Sequence, residues 1–258
     1  MPRPHVLVFA GTESQGYAGL HSDLRALYAL PVRVSTVVTC VTAQPADAPP
    51  ALTTASAAII NQQLTAALQE GPPDAIKVGL LASEAAAQAV LALKSQRGGK
   101  PCPLVIDPVM RSSAGADQAS LSALGPSQWL ALLQAADLVT PNLIEAAWLL
   151  EWLPDRVTGN PTAAAYALSE RLGTRVLLKG GHALGDTVSD SLVEDGQLTR
   201  FTRRRVSTRS RGTGCFLASA IAARQALGLS YRRACLEAGD QLHEALRRGL
   251  PPALITPA

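Results

Sequence analysis

Short apolar runs of strand length alternate with longer helix-period stretches along almost the whole chain. The runs at residues 5–9, 32–41, 75–79, 104–107, 138–140 and 175–179 are rich in Val, Ile, Leu and Thr, as strands covered on both faces should be. Between them, residues 20–29, 54–69, 83–95, 127–136, 142–152 and 162–172 carry helical spacing. Residues 190–193 and 197–201 flank Glu194-Asp195-Gly196, a hairpin signal, and two helices at 212–227 and 231–248 close the chain. Strand then helix, repeated, builds a mostly parallel sheet with helices on both faces. The expectation is an α/β fold of three layers, α/β/α, forming a single domain over residues 1–258. No linker or internal repeat interrupts it.

Composition removes several function classes. With 47% hydrophobic and 17% charged residues over 258 positions, the chain has material for a substantial core and no signature of disorder. Aromatic residues at 4% and a net charge of +3 give no stacking platform or basic footprint for nucleic acid. No apolar run approaches the ~18 residues that cross a bilayer. The run at 6–10 is too short for a secretory signal and reads as a buried strand. Cys40, Cys102, Cys215 and Cys235 are scattered without a C-x-x-C pair, which argues against a disulfide framework or zinc site. A cytoplasmic protein with no nucleic-acid or membrane partner is expected.

Walker-type phosphate loops, dinucleotide-binding glycine turns, zinc-helix motifs and nucleophile elbows are all absent. In open α/β sheets, ligands bind beyond the carboxyl ends of the strands, so the informative residues follow each strand. Arg211-Gly212-Thr213-Gly214-Cys215 leads directly into a helix. Two glycines there let amides converge on an anion, aided by the helix dipole. Cys215 falls in the first turn, where a thiol pKa is commonly lowered. Lys179-Gly180-Gly181-His182 ends a strand in a chain with only four Lys; a compact ammonium suits a phosphate loop. Asp107-Pro108-Val109-Met110 and Pro141-Asn142-Leu143-Ile144-Glu145 also follow strands. Two carboxylates and an amide near a phosphate site suit Mg²⁺. The arginines between 200 and 211 read mostly as a solvated face, with Arg211 the exception because it abuts the anion turn.

In register, these segments resemble the ribokinase-like superfamily, and within it the hydroxymethylpyrimidine/phosphomethylpyrimidine kinases of thiamine biosynthesis. The likeness runs through Phe9-Ala10-Gly11-Thr12-Glu13, Ala18-Gly19-Leu20-His21-Ser22-Asp23-Leu24, Val41-Thr42-Ala43-Gln44, Ile76-Lys77-Val78-Gly79-Leu80-Leu81 and the four segments above. It implies a ribokinase-like domain, ATP as co-substrate with Mg²⁺, and an aminopyrimidine alcohol as acceptor, usually in a homodimer. By position, Asp23 and Gln44 would hydrogen-bond the pyrimidine, with Gly11, Leu80 and Val109 lining its pocket. Cys215 would be the general base, and Gly212, Thr213 and Gly214 the anion hole. Lys179 would meet ATP phosphates, and Asp107 and Glu145 would serve the magnesium, with Asn142 beside them; Arg211, which the likeness does not supply, reads as a further ATP- or phosphate-binding residue because it abuts the turn. The implied reaction phosphorylates the hydroxymethyl group and then the resulting monophosphate.

Several positions depart from that pattern. Gln15 and Tyr17 stand where small residues are usual, Glu13 replaces Asp, Pro45 follows Gln44 in place of Asn, and Leu80 stands where Met is common. The stretch after Met110 reads Arg111-Ser112-Ser113-Ala114-Gly115 rather than Lys-Ser-Gly. The run before the anion turn is one residue short, and Arg211 replaces a His. These changes gather at the pocket lid and the phosphates. They keep two further readings open: a pyridoxal kinase, or a non-catalytic pyrimidine- or nucleotide-binding regulator.

Overall fold

The structure, a computed structural model, describes residues 2–44, 51–95, 102–109, 123–181, 185–207 and 210–249. In chain order the elements are β1 (His5–Glu13), α1 (Leu20–Tyr28), β2 (Arg33–Ala43), β3 (Ala51–Thr54), α2 (Ala57–Leu68), β4 (Ala75–Val78), α3 (Glu84–Ser95), β5 (Leu104–Ile106), α4 (Pro126–Gln134), β6 (Leu138–Val139), α5 (Leu143–Leu150), α6 (Pro154–Gly159), α7 (Pro161–Leu172), β7 (Arg175–Leu178), β8 (Thr187–Glu194), β9 (Gln197–Arg204), α8 (Thr213–Ala226) and α9 (Tyr231–Arg247). They form one sheet of nine strands in the order β3-β2-β1-β4-β5-β6-β7-β8-β9. The six central strands are parallel, and β3, β8 and β9 join antiparallel at the edges.

Alternation along β1 separates the two cores. Val6, Val8 and Ala10 face α1, α8 and α9, whereas Leu7 and Phe9 face a larger core shared with α2 to α7. Both faces of the strand are therefore sealed, which is why its sequence shows no polar alternation. The expected three layers are present. The hairpin forms as read: Asp195 (φ 50°) and Gly196 (φ 73°) both adopt the left-handed conformation that a tight two-residue turn requires. Its strands run further than expected, from Glu194 opposite Gln197 out to Thr187 opposite Arg204.

Two elements were not legible beforehand. β3 is a half-exposed edge strand with no apolar run, so the helix expected from residue 54 begins at Ala57, after the Ser56 side chain accepts from the Ile59 amide at 3.3 Å. α6 is six residues long and starts at Pro154, which suits a first helical position. The Pro-rich loop at 46–50, and Met110, His182, Arg209 and residues 111–115, lie outside the described residues.

Candidate active site

The parallel strands end on one edge of the sheet, and the loops there carry nearly every candidate residue. Past β5, the Asp107 amide still donates to the Val78 carbonyl at 2.9 Å, and past β6, the Thr140 amide donates to Ile106 at 2.9 Å. Beyond β7, the Lys179 amide donates to the Pro141 carbonyl at 2.8 Å, and Lys179 forms a parallel bridge with Asn142. This continuation of the ladder aligns three side chains. Lys179 Nζ lies 2.6 Å from Asp107 Oδ1, and the Thr140 hydroxyl donates to the same oxygen at 3.4 Å. Burial alone would lower the Lys179 pKa, but the carboxylates of Asp107 and Glu145 outweigh it and hold the ammonium charged.

Asn142 and Glu145 form a reciprocal cap on α5. The Asn142 side chain accepts from the amides of Ile144 and Glu145 at 2.9 Å each, and Glu145 Oε2 accepts from the Asn142 amide at 2.7 Å. A helix-cap role for this pair is therefore fully realised. Glu145 also faces the ionic cluster. Burial pushes its carboxyl up to about 7, with Lys179 pulling it down and Asp107 pushing it further up. Among the described residues no three His, Cys, Asp or Glu side chains cluster as a metal cage. Two adjacent carboxylates offering hard oxygens fit a Mg²⁺ whose other ligands are waters and phosphates.

The anion turn comes within touching distance of that cluster because of glycine. A methyl group at Gly214 would lie 2.9 Å from Lys179 Nζ and 3.2 Å from Asp107 Oδ2. Gly212 has φ 76°, and a methyl group there would lie 2.2 Å from the Tyr17 carbonyl oxygen. Its own carbonyl accepts from the Ser22 hydroxyl at 2.7 Å. Only glycine permits both the left-handed backbone and that approach. α8 then starts at Thr213, so the leading amides of the helix, which have no partners inside it, belong to the same turn that approaches the Lys179–Asp107 pair.

On the other side of the turn lies a second group of candidates. Leu80 and Val109 pack with Cys40 and Leu52 in a small apolar cluster, beside Gly11 at the bulge of β1. Gln44 follows β2, and its amide donates to the Thr42 hydroxyl at 3.2 Å. Arg211 reaches over to it: Nη2 donates to Gln44 Oε1, and Nη1 to Gln15 Oε1 at 3.2 Å. The unusual first loop is held by Glu13, whose carboxylate collects the amides of Gln15, Tyr17 and Ala18. That carboxylate gives a glycine-poor turn a fixed shape.

Two expectations are corrected here. Asp23 is fully buried and has no surface to offer a ligand. Its Oδ1 takes the Lys77 ammonium at 2.7 Å and the Ser219 hydroxyl at 2.8 Å, one turn along α8 from Cys215. Burial opposes charge on Lys77, but Asp23 more than offsets it, so the ammonium form persists. Nor is the Cys215 thiol lowered. Burial pushes it up to about 12, against the pull of the Lys77 ammonium and a hydrogen bond from the Gly19 amide. The helix dipole is the weaker influence where water is excluded. Lys77 and Thr140 fall in the segments that carry the likeness but have no expected role there, and Ser219 falls in none of them. A lysine within the apolar run 75–79 was the available signal, because a charge there needs a buried partner.

Between the end of β9 and α9 lies a cavity of about 430 Å³ lined by Arg204, Arg205, Val206, His243 and Arg247. Arg205 ties it to the Lys179 loop by donating to the Gly181 carbonyl at 2.8 Å. Of the described arginines of this run, Arg200 and Arg204 are exposed. Arg203 instead packs over Gly239, where a methyl group would lie 2.5 Å from its guanidinium, and pairs with Asp240 at 2.9 Å.

Residues 13–254 match the family described as phosphomethylpyrimidine kinase. The chain belongs to that family. A hydroxymethylpyrimidine/phosphomethylpyrimidine kinase of Synechococcus elongatus is 34% identical over 259 residues, covering 97% of this chain and 94% of that protein. Its counterpart in Streptomyces coelicolor is 35% identical, covering 96% and 90%. Other relatives are longer: the chain spans 45% of a probable thiamine biosynthetic bifunctional enzyme of rice, at 34% identity over 95% of this chain. Among solved structures, the pyridoxal kinase of Staphylococcus aureus bound to AMP-PCP and pyridoxal aligns with TM-score 0.82 and 25% identity over 96% of this chain and 89% of that one. A phosphomethylpyrimidine kinase of Clostridium difficile aligns with TM-score 0.76 and 27% identity over 95% and 100%. The fold of this phosphomethylpyrimidine kinase family member is ribokinase-like.

Proposed function

We propose that this chain transfers the γ-phosphoryl group of ATP to the hydroxyl of 4-amino-5-hydroxymethyl-2-methylpyrimidine, and then a second one to the monophosphate. The observation that carries this reading is the meeting of Gly214 with the Lys179–Asp107 pair at the start of α8. Amides of Thr213, Gly214 and Cys215, with Lys179, would receive the charge on the transferring group. Asp107 and Glu145 would hold Mg²⁺, which when bound supplies neutralisation of the phosphate charge. The nucleotide base and ribose would extend into the cavity beside Val206, whose arginines suit the phosphates. The acceptor ring would lie against Leu80 and Val109 with Gln44 at its edge; Asp23 supports the floor from below rather than touching it.

In the first transfer the hydroxyl oxygen attacks phosphorus, the bond to ADP breaks, and the hydroxyl proton passes to Cys215 in its thiolate form, which becomes the thiol. In the second the attacking phosphate oxygen is already anionic, so positioning matters more than proton removal. A homodimer in the cytoplasm belongs to the same reading. The test is mass spectrometry of the acceptor after incubation with ATP and Mg²⁺, which counts zero, one or two added phosphates. No addition to either acceptor would sink the proposal. The likeness to pyridoxal kinases motivates a second arm with pyridoxal: kcat/KM higher on pyridoxal than on the pyrimidine would favour that activity instead.

A further inference from the structure

Three cations of known placement surround the anion turn, and two are committed. Lys77 is sealed against Asp23, and Lys179 is held by Asp107 on the side of Asn142 and Glu145. Arg211 differs from both. Its contacts are the amide oxygens of Gln15 and Gln44, and no carboxylate among the described residues pairs with it. Its Nε is buried without a hydrogen-bond partner. Elsewhere, Arg33, Arg171, Arg175, Arg203, Arg224 and Arg233 all meet carboxylates. A guanidinium with one buried N–H unmet, touching only neutral groups, is matched to an anion that arrives from outside. Its position says which anion. The root of Arg211 is fixed by the Ser22–Gly212 link, and its head donates to Gln44, which follows β2, whereas Lys179 follows β7 in the other half of the sheet.

We infer that Arg211 reads the phosphate already carried by the acceptor, and so sets the preference of the enzyme for the monophosphate over the free alcohol. The inference rests on the proposed kinase reading. The two acceptors differ by one phosphate, which must sit beside the turn with a counter-cation on the acceptor side. Lys179 serves the donor phosphates. Arg211 exchanges the Gln44 amide oxygen for phosphate oxygens, and Gln44 turns its amide to the ring. The attack itself is unchanged: the acceptor's phosphate oxygen bonds to the γ-phosphorus of ATP as ADP departs.

The experiment compares kcat/KM for the two acceptors in wild type, Arg211→Gln and Arg211→Lys. Loss of hydrogen bonds to a charged group predicts that the monophosphate-to-alcohol ratio falls by about 10- to 100-fold in Arg211→Gln. Arg211→Lys should recover part of it, because a point charge remains without the fork. An unchanged or higher ratio in Arg211→Gln would overturn the inference. Calorimetry on the wild type without nucleotide adds a measurement that needs no variant to fold. Binding of the monophosphate at least ~10-fold tighter than the alcohol is expected for the same charged hydrogen bonds, and equal affinity overturns it. Absence of turnover on both acceptors would instead remove the kinase reading, and equal affinities in the calorimetry would still overturn the role of Arg211, while a ratio that falls in Arg211→Gln would support it.

Discussion

At the scale of single residues, the chemistry turns on how far burial outweighs position. Cys215 sits in the first turn of α8, where the dipole favours a thiolate, yet exclusion of water holds it as a thiol near neutral pH. If Cys215 takes the proton of the alcohol, the thiolate fraction must grow tenfold with each pH unit below about 12. Transfer to the alcohol should then accelerate steadily through pH 7–10, and Cys215→Ala should abolish that rise. The deficit should widen with pH toward the roughly 10²–10⁴ typical of a lost general base. Transfer to the monophosphate, whose nucleophile carries no such proton, should show no comparable limb. Initial rates across pH on both acceptors settle it, and parallel profiles in the variant and the wild type would remove Cys215 from proton transfer. Gly214 gives a second test. Gly214→Ala drives a methyl group against Lys179 and Asp107, so kcat should fall by about 10²-fold, the cost of small misplacements in such sites. Retained full activity would mean the close approach is dispensable.

At the scale of elements, one buried ionic tie fastens α1 to β4 and α8. Lys77, Asp23 and Ser219 come from three separate elements and are fully enclosed. Lys77→Met leaves an unpaired carboxylate in the core, and removing one partner of such a pair typically costs about 3–5 kcal/mol. Urea unfolding should show that loss, and the double change Lys77→Met with Asp23→Leu should restore much of it. A double variant no more stable than the single one would mean the charge pair itself holds these elements. This tie also marks the boundary of what the sequence made legible. The order of strands and helices could be read because doubly covered strands lack polar alternation and because caps such as Asn142 advertise helix starts. The anion turn and the Lys179–Asp107 edge could be read because glycine and isolated lysine are chemically distinctive. The burial of Asp23 could not, since a carboxylate at a helix start looks the same whether it meets solvent, ligand or a lysine 54 residues away. β3 and α6 escaped for the complementary reason: edge strands and one-turn helices carry little apolar periodicity.

At the scale of the whole molecule, the proposed reading draws its donor-side and acceptor-side groups from opposite halves of a single sheet, Lys179 after β7 and Gln44 after β2. Ligands that bridge the halves should therefore stabilise the entire fold. ADP with Mg²⁺ at 100 times its dissociation constant should add about 2.7 kcal/mol. For a chain of this size that corresponds to a rise in Tm of about 5–10 °C, measurable by thermal scanning. No shift at saturating nucleotide would argue against a nucleotide site. The link from Ser22 to Gly212 has its own consequence, because it joins positions 190 residues apart. During synthesis, the central strands emerge long before α8, and until it docks one face of β1 and β4 stays uncovered and Asp23 lacks its Ser219 partner. A nascent polypeptide therefore gains both features at once: the docking of α8 covers that face of the sheet and fixes the glycine turn against Ser22.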